Sequence, residues 1–196
     1  MRLRSLLIPL LCIMLSGCGA VVNAIDQGTS AKGQNFDEMK ARRLVVGESR
    51  KPDVLELYGP PKRESKKSGV ETWSYEYSEF RKSGVLIRQY GNLAKFLVIA
   101  FGPNGYVQAA SLKITNIVAE GFTSGPDIDK FELSKAKIGE SRTKDILAIY
   151  GEPQDKTWTL PNEESFKYIR SNVAGGRSLS FDFLGGLLVR INKPTS

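Results

Sequence analysis

Histidine is absent from this chain of 196 residues, and its two cysteines, Cys12 and Cys18, both lie near the N-terminus. Without histidine the chain cannot form the Ser-His or Cys-His pairs that activate nucleophiles, or the usual zinc and copper sites. Without cysteines beyond position 18, disulfide bonds cannot staple the body of the protein. Apolar residues still make up 41% of the sequence, which predicts a folded chain rather than a disordered one.

The N-terminal segment has the pattern of a secretory signal. Arg2 and Arg4 precede an uncharged apolar run over residues 6–15, which is shorter than the roughly 20 residues that a membrane span needs. Residues 15–18 read Leu-Ser-Gly-Cys and resemble the lipobox of bacterial lipoproteins. The resemblance implies that the peptide is cut before Cys18 and that this residue carries the acyl chains. The alternative is an uncleaved apolar terminus with a chance cysteine.

The residue after the lipidated cysteine and the net charge bear on location. Gly19 follows Cys18, where enteric lipoproteins kept in the inner membrane have aspartate, so the resemblance implies the outer membrane. Removal of Arg2 and Arg4 lowers the net charge from +7 to +5. This modest charge fits anionic lipid or an acidic partner and gives no indication of nucleic-acid binding.

An internal repeat is the most informative pattern in the sequence. Residues 46–61 recur 92 positions later as residues 138–153, with nine of sixteen positions identical, which indicates a duplication. In each copy a serine stands where a helix N-cap belongs and a glycine where the helix must end, so we expect positive φ at both terminal glycines. The motif residues with these structural roles are Gly47, Ser49, Gly59, Gly139, Ser141 and Gly151.

Further elements are predicted around each repeated helix. Capping-box spacing at Asn35 and Glu38, and again at Asp129 and Glu132, predicts a shorter helix before each one. Three strands follow in each copy. The first strand carries an alternating aromatic stripe, which is either core packing or a partner-binding face. Its residues are Trp73, Tyr75 and Tyr77.

These patterns predict an α+β fold made of two tandem ααβββ units, with an antiparallel sheet that has helices on one face. The predicted segments are a signal peptide at 1–17, a flexible tether at 18–33, a first unit at 34–112, a linker at 113–127 and a second unit at 128–196.

The first unit has an insert over residues 78–94 that mixes aromatic and basic residues and has no counterpart in the second unit. Because binding residues concentrate on loops, it is the predicted partner-binding region. The alternative is a solvated hairpin without function. The candidate partner-binding residues are Phe80, Arg81, Arg88 and Tyr90.

The repeated motif, followed by an aromatic-x-Tyr pattern at Trp73 and Tyr75 and again at Phe166 and Tyr168, resembles the small outer-membrane lipoproteins of the BamE (SmpA/OmlA) family. The tandem arrangement is also similar to the β-lactamase inhibitor proteins, which have two such units and a concave sheet surface. These resemblances imply a binding protein with no catalytic residues, no metal and no cofactor.

Three functions remain open at this point. The first is an outer-membrane-anchored, periplasm-facing adaptor that binds an envelope protein and serves envelope assembly or integrity. The second is a periplasmic inhibitor or capture module. The third is an enzyme that uses paired carboxylates. The available carboxylates are Asp53, Glu76, Asp145 and Asp182.

Overall fold

A computed structural model describes residues 28–83, 89–120, 123–172 and 175–193. The strands in these ranges are β1 (Gly28–Lys32), β2 (Arg63–Lys67), β3 (Val70–Ser83), β4 (Gln89–Phe101), β5 (Val107–Glu120), β6 (Thr123–Ser124), β7 (Asp155–Thr159), β8 (Glu163–Asn172), β9 (Gly175–Leu184) and β10 (Leu187–Asn192). The α-helices are α1 (Lys51–Tyr58) and α2 (Thr143–Tyr150), and 3₁₀ segments lie at Glu38–Arg43, Ile128–Lys130 and Leu133–Lys135.

The strands form one antiparallel sheet that crosses both copies of the repeat. Its order is β1-β3-β4-β5-β6-β8-β9-β10, with β2 beside β1 on the same edge of β3 and with β7 between β5 and β8. We call β1–β5 the first half of the sheet and β6–β10 the second half. The two halves join where β7 pairs with β5, from Ser111 opposite Thr159 to Thr115 opposite Asp155.

The predicted α+β fold of two ααβββ units with helices on one face is wrong, because the structure is mostly antiparallel β-sheet. Each α-helix has only eight residues, and the predicted earlier helices are short 3₁₀ segments. The Asp37 carboxylate accepts a hydrogen bond from the Met39 backbone N–H at 2.9 Å, which caps a 3₁₀ segment rather than an α-helix. A capping pattern marks where a turn begins, and it does not fix how long the helix after it becomes.

Strand boundaries also differ from the sequence-based segments. β1 occupies residues 28–32 of the predicted tether, whose residues 18–27, with Cys18, lie outside the described ranges. β5 continues to Glu120, through much of the predicted linker at 113–127. β1 and β2 were not predicted from the sequence, because all their side chains are exposed. Backbone hydrogen bonds to β3 and the surface ion pair of Arg63 with Glu76, rather than buried side chains, hold these strands, so they show no hydrophobic alternation.

Two hydrophobic clusters pack against the same side of the sheet, which we call the packed side. The first surrounds Val54 of α1, and the second surrounds Ile146 of α2. The aromatic stripe of β3 is buried, which confirms its interpretation as core packing. Trp158 of β7 belongs to the first cluster, so a strand from the second half completes the core of the first.

The motif glycines have the predicted positive φ, 72° at Gly59 and 76° at Gly151. Their ψ values, −164° and −165°, place them in a region that is essentially restricted to glycine. The carbonyl of Gly59 accepts a hydrogen bond from the Tyr75 hydroxyl at 3.1 Å, and that of Gly151 from Tyr168 at 2.8 Å. The two copies therefore tie the end of the helix to the sheet in the same way.

The motif serines have a different role from the predicted helix cap. The Ser49 hydroxyl accepts from the Val45 backbone N–H at 2.9 Å, and the Ser141 hydroxyl accepts from the N–H of Lys137 at the same distance. Each serine therefore closes the turn before its helix. Gly47 and Gly139 lie in these two turns and have positive φ.

Candidate functional site

The side of the sheet opposite the two clusters, which we call the open side, carries an unusual apolar stretch in the first half. Phe96 lies at its centre, paired with Glu76 on β3 and with Lys113 on β5. Its side chain is 44% exposed. Alternation along β4 places the following residues on the open side: Ala94, Phe96, Val98 and Ala100.

The second half provides a matched comparison for this stretch. Tyr75 pairs with Leu97 in the first half, and the equivalent Tyr168 pairs with Leu179 in the second. Phe96 therefore corresponds to Ser178. The residues of β9 that replace the apolar stretch of β4 are Gly176, Ser178, Ser180 and Asp182. Because the second half folds with polar residues here, the apolar stretch is not a requirement of the fold.

Ion pairs surround the apolar stretch. Glu76 accepts a hydrogen bond from the Lys62 ammonium and lies 3.6 Å from the Arg63 guanidinium. The hydrogen bond from Lys62 holds the pKa of Glu76 below its usual range. On the other flank, Lys113 lies 3.7 Å from Asp155. An apolar centre with a charged rim is the usual anatomy of a protein-binding surface.

The predicted insert is not a separate loop at the edge of the sheet. Its described residues continue β3 and β4, which are internal strands. Phe80 and Tyr90 both lie on the open side, with their rings stacked at a centroid distance of 6.0 Å and an interplanar angle of 30°. Arg81 lies on the opposite side by strand alternation, and Arg88 is outside the described residues. Of the three candidates within the described residues, the structure therefore brings two together, Phe80 and Tyr90.

Arg81 is held in a local network. Its guanidinium donates to the Glu79 carboxylate, which also accepts from the Tyr77 hydroxyl at 2.7 Å. Both hydrogen bonds lower the pKa of Glu79, and the one from Arg81 has the larger effect. Beside Arg81 is a shallow depression of about 270 Å³ whose other side is formed by Asn116 and Val118.

The carboxylates considered for catalysis have structural partners. Asp53 accepts from the backbone N–H of Arg50 at 2.7 Å and Asp145 from that of Arg142 at 2.8 Å, so both cap helices. Asp182 accepts from the hydroxyl of Ser165 at 2.8 Å.

A groove between the two halves was not predicted from the sequence. It lies on the packed side, has a volume of about 180 Å³, and is lined by Leu112, Trp158, Phe166 and the exposed Met39. An ion pair between Arg42 and Glu164 links the two halves beside it. The groove depends on the insertion of β7 beside β5, and the one sequence signal for it is Trp158 at a position where β2 has Lys66.

No family model matches the chain, and no match was found among the curated proteins or the solved structures. Within the described ranges, no group of three or more His, Cys, Asp or Glu side chains is placed to hold a metal ion. None of the helices described is both long enough and apolar enough to cross a bilayer.

Proposed function

We propose that this chain is a lipoprotein anchored by Cys18 in the outer membrane, facing the periplasm. In this proposal it acts as a non-catalytic protein-binding module that serves envelope assembly or integrity. The anchor is supported by the basic and apolar pattern before the lipobox, and the outer-membrane location by Gly19. The resemblance of the repeated motif to BamE-like lipoproteins supports a binding role in the envelope.

The open side of the first half supports the binding role most directly. It exposes Phe96 at a position where the duplicated second half has Ser178. Exposing an aromatic ring to water is unfavourable, and the fold does not need this one, so a partner that covers it explains its presence. Glu76 and Lys113 border the ring, and each is ion-paired with a further residue, as is usual for the charged rim of such an interface.

The test is capture of a partner from detergent-solubilised envelopes by the lipidated protein. Phe96→Ser, which gives the first half the residue of the second, should lose most of the captured partner without loss of folding. Leu184→Ser is the matched control, because Leu184 is 51% exposed on the open side of the second half. Equal capture by both variants would refute the assignment of this surface. Capture of a single soluble enzyme instead of an envelope protein would favour the inhibitor function.

A further inference from the structure

The three central strands of the first half extend beyond the hydrophobic core and form an arm. It comprises residues 78–83 of β3, 89–94 of β4 and 115–120 of β5, with β1 paired along one edge. The first residue of β1, Gly28, lies opposite Lys82 near the tip of the arm. The chain therefore enters the described fold at this tip, and not at the opposite end of the sheet.

The arm carries exposed apolar residues without a core beneath them. Phe80 is 44% exposed and stacks on Tyr90, and Val118 is 58% exposed. Lys82 lies on the same side of the sheet as the two rings, and Arg81, whose side chain is 66% exposed, lies on the other side with Val118. Aromatic rings next to basic side chains are typical of surfaces that enter the headgroup layer of a membrane, where anionic lipids attract the cations.

The second half has no equivalent of this arm. Its corresponding strands, β8 and β9, end at Asn172 and begin at Gly175, which occupy the positions of Glu79 and Leu93, one residue short of the position of Phe80. Only two residues separate Asn172 from Gly175, so the chain has no room there for a counterpart of Phe80 and Tyr90. The duplicated fold is therefore complete without the aromatic pair. The arm is an addition that is confined to the half of the sheet that the N-terminus enters.

The length of chain before β1 limits how the protein can sit on a membrane. Cys18 lies ten residues before Gly28, and ten residues span at most about 35 Å. β3 has 14 residues, so the end of the sheet opposite the arm is about 45 Å away along the strands. An orientation with that end in the membrane and the arm above it is therefore excluded for a chain anchored at Cys18.

We infer that the tip of the arm, with Phe80, Tyr90 and Val118, is a second membrane contact that enters the headgroup layer and holds the sheet upright on the bilayer. This inference rests on the proposed lipid anchor at Cys18. The partner is the anionic lipid surface that holds the anchor. Lys82, on the side of the rings, and Arg81, on the side of Val118, lie at the level of the lipid phosphates while the aromatic rings contact the apolar boundary.

The test uses lipidated protein in vesicles of phosphatidylethanolamine and phosphatidylglycerol. After removal of the signal, Cys18 is the only cysteine, so an introduced cysteine can be labelled selectively with a polarity-sensitive fluorophore. A label at Val118→Cys should shift its emission to the blue and be quenched by lipids with a nitroxide near the headgroup. A label at Leu184→Cys, at the opposite end of the sheet, should do neither.

Substitutions then distinguish the role of the arm from that of the proposed partner-binding surface around Phe96. Phe80→Ser with Tyr90→Ser should abolish the shift and the quenching at position 118 and leave partner capture intact. Phe96→Ser, at a residue with the same 44% exposure, should leave both signals unchanged. Fatty-acid labelling shows whether the protein is lipidated. If it is, and the label at position 118 stays in water, the membrane contact of the arm is refuted while the lipid anchor stands. Quenching at both labels would show a sheet that lies flat and would also overturn the inference. Absence of fatty-acid labelling would instead refute the lipid anchor of the proposed function.

Discussion

β2 and β7 are the same element of the repeat in two different settings. Each begins five residues after its helix ends and pairs with the next strand in the same register, so Lys66 lies opposite Glu71 as Trp158 lies opposite Glu164. β2 borders only β3 and is exposed throughout, whereas β7 lies between two strands. The neighbour on the second edge decides which side chains a strand can carry.

The charged sequence of β2, Arg-Glu-Ser-Lys-Lys, protects a free edge from pairing with other chains. The sequence of β7, Asp-Lys-Thr-Trp-Thr, buries an indole opposite Leu112 at the joint between the halves. A few substitutions at one element thus distinguish an edge from a joint, while the helix and turn around it stay the same.

The sharpest test of this comparison is removal of the indole at the joint. Trp158→Ala should lower the free energy of unfolding by about 3–5 kcal/mol, because it empties a buried site in the first cluster. The equivalent Lys66→Ala should change it by less than about 0.5 kcal/mol. Urea unfolding measures both, and similar effects at the two positions would contradict the account.

A smaller effect is expected at two glycines, Gly33 and Gly125, that lie against the backbone of β3 and of β8. A Cβ at Gly125 would lie 1.7 Å from the Ile169 carbonyl oxygen, and one at Gly33 would lie 2.2 Å from that of Glu76. Backbone strain alone costs about 1–3 kcal/mol. We expect Gly125→Ala and Gly33→Ala to lower the free energy of unfolding by more than this strain alone.

Gly59→Ala and Gly151→Ala are the controls for this prediction. These glycines have similar positive φ, but no atom lies within 4 Å of their added Cβ, so only backbone strain should appear. Equal unfolding free energies for all four variants would show that the close approach to the strand carbonyls does not matter.

The hydrogen bonds to the motif glycines should each contribute about 1 kcal/mol. Tyr75→Phe and Tyr168→Phe remove the hydroxyls that donate to the carbonyls of Gly59 and Gly151. If the two halves are equivalent at this position, the two losses in unfolding free energy should agree. A loss confined to one variant would show that the halves have diverged there.

The same tyrosines predict a pH dependence. Burial raises the pKa of Tyr75 to about 12, above the value near 10 expected for an unfolded chain. The protonated hydroxyl therefore contributes its full stability below pH 10, and this contribution is lost as the pH rises from about 10 to 12. Tyr75→Phe should flatten the fall in stability over that range in unfolding measurements, and an unchanged slope would contradict the assignment.

The smallest effect is expected at Arg81, on the arm. Arg81→Glu should change the unfolding temperature very little, because surface ion pairs contribute about 0–1 kcal/mol. Arg177→Glu, which breaks the exposed ion pair with Asp129 at 2.7 Å in the second half, is the control. Marked unfolding by Arg81→Glu alone would show that the arm is part of the structural core.

The parts of the fold that the sequence predicts are those with a local chemical signature. Positive φ at Gly59 and Gly151 follows from helix termination, and the burial of Trp73 follows from alternation along its strand. The single sheet could not be predicted, because pairing of β5 with β7 links residues about 45 positions apart and leaves no local pattern. The length of β5 was missed for the same reason.

The candidate site was predicted only in part. Phe80 and Tyr90 were identified from their unusual composition, and the structure shows them stacked. Phe96 was missed, because in sequence it belongs to an apolar run that reads as a buried strand. Only the register, which pairs it with Glu76 and Lys113 on the open side, separates it from the buried Leu97 beside it.

The direction of β1 has a mechanical consequence for a chain anchored at Cys18. β1 runs from Gly28 at the tip of the arm to Lys32 nearer the core, antiparallel to β3. A pull on the tether acts along the strand, whereas the hydrogen bonds to β3 lie across it. The load is therefore shared by the whole five-residue ladder in shear, instead of opening one hydrogen bond after another. β1 can thus transmit drag on the anchor to the sheet without being peeled away.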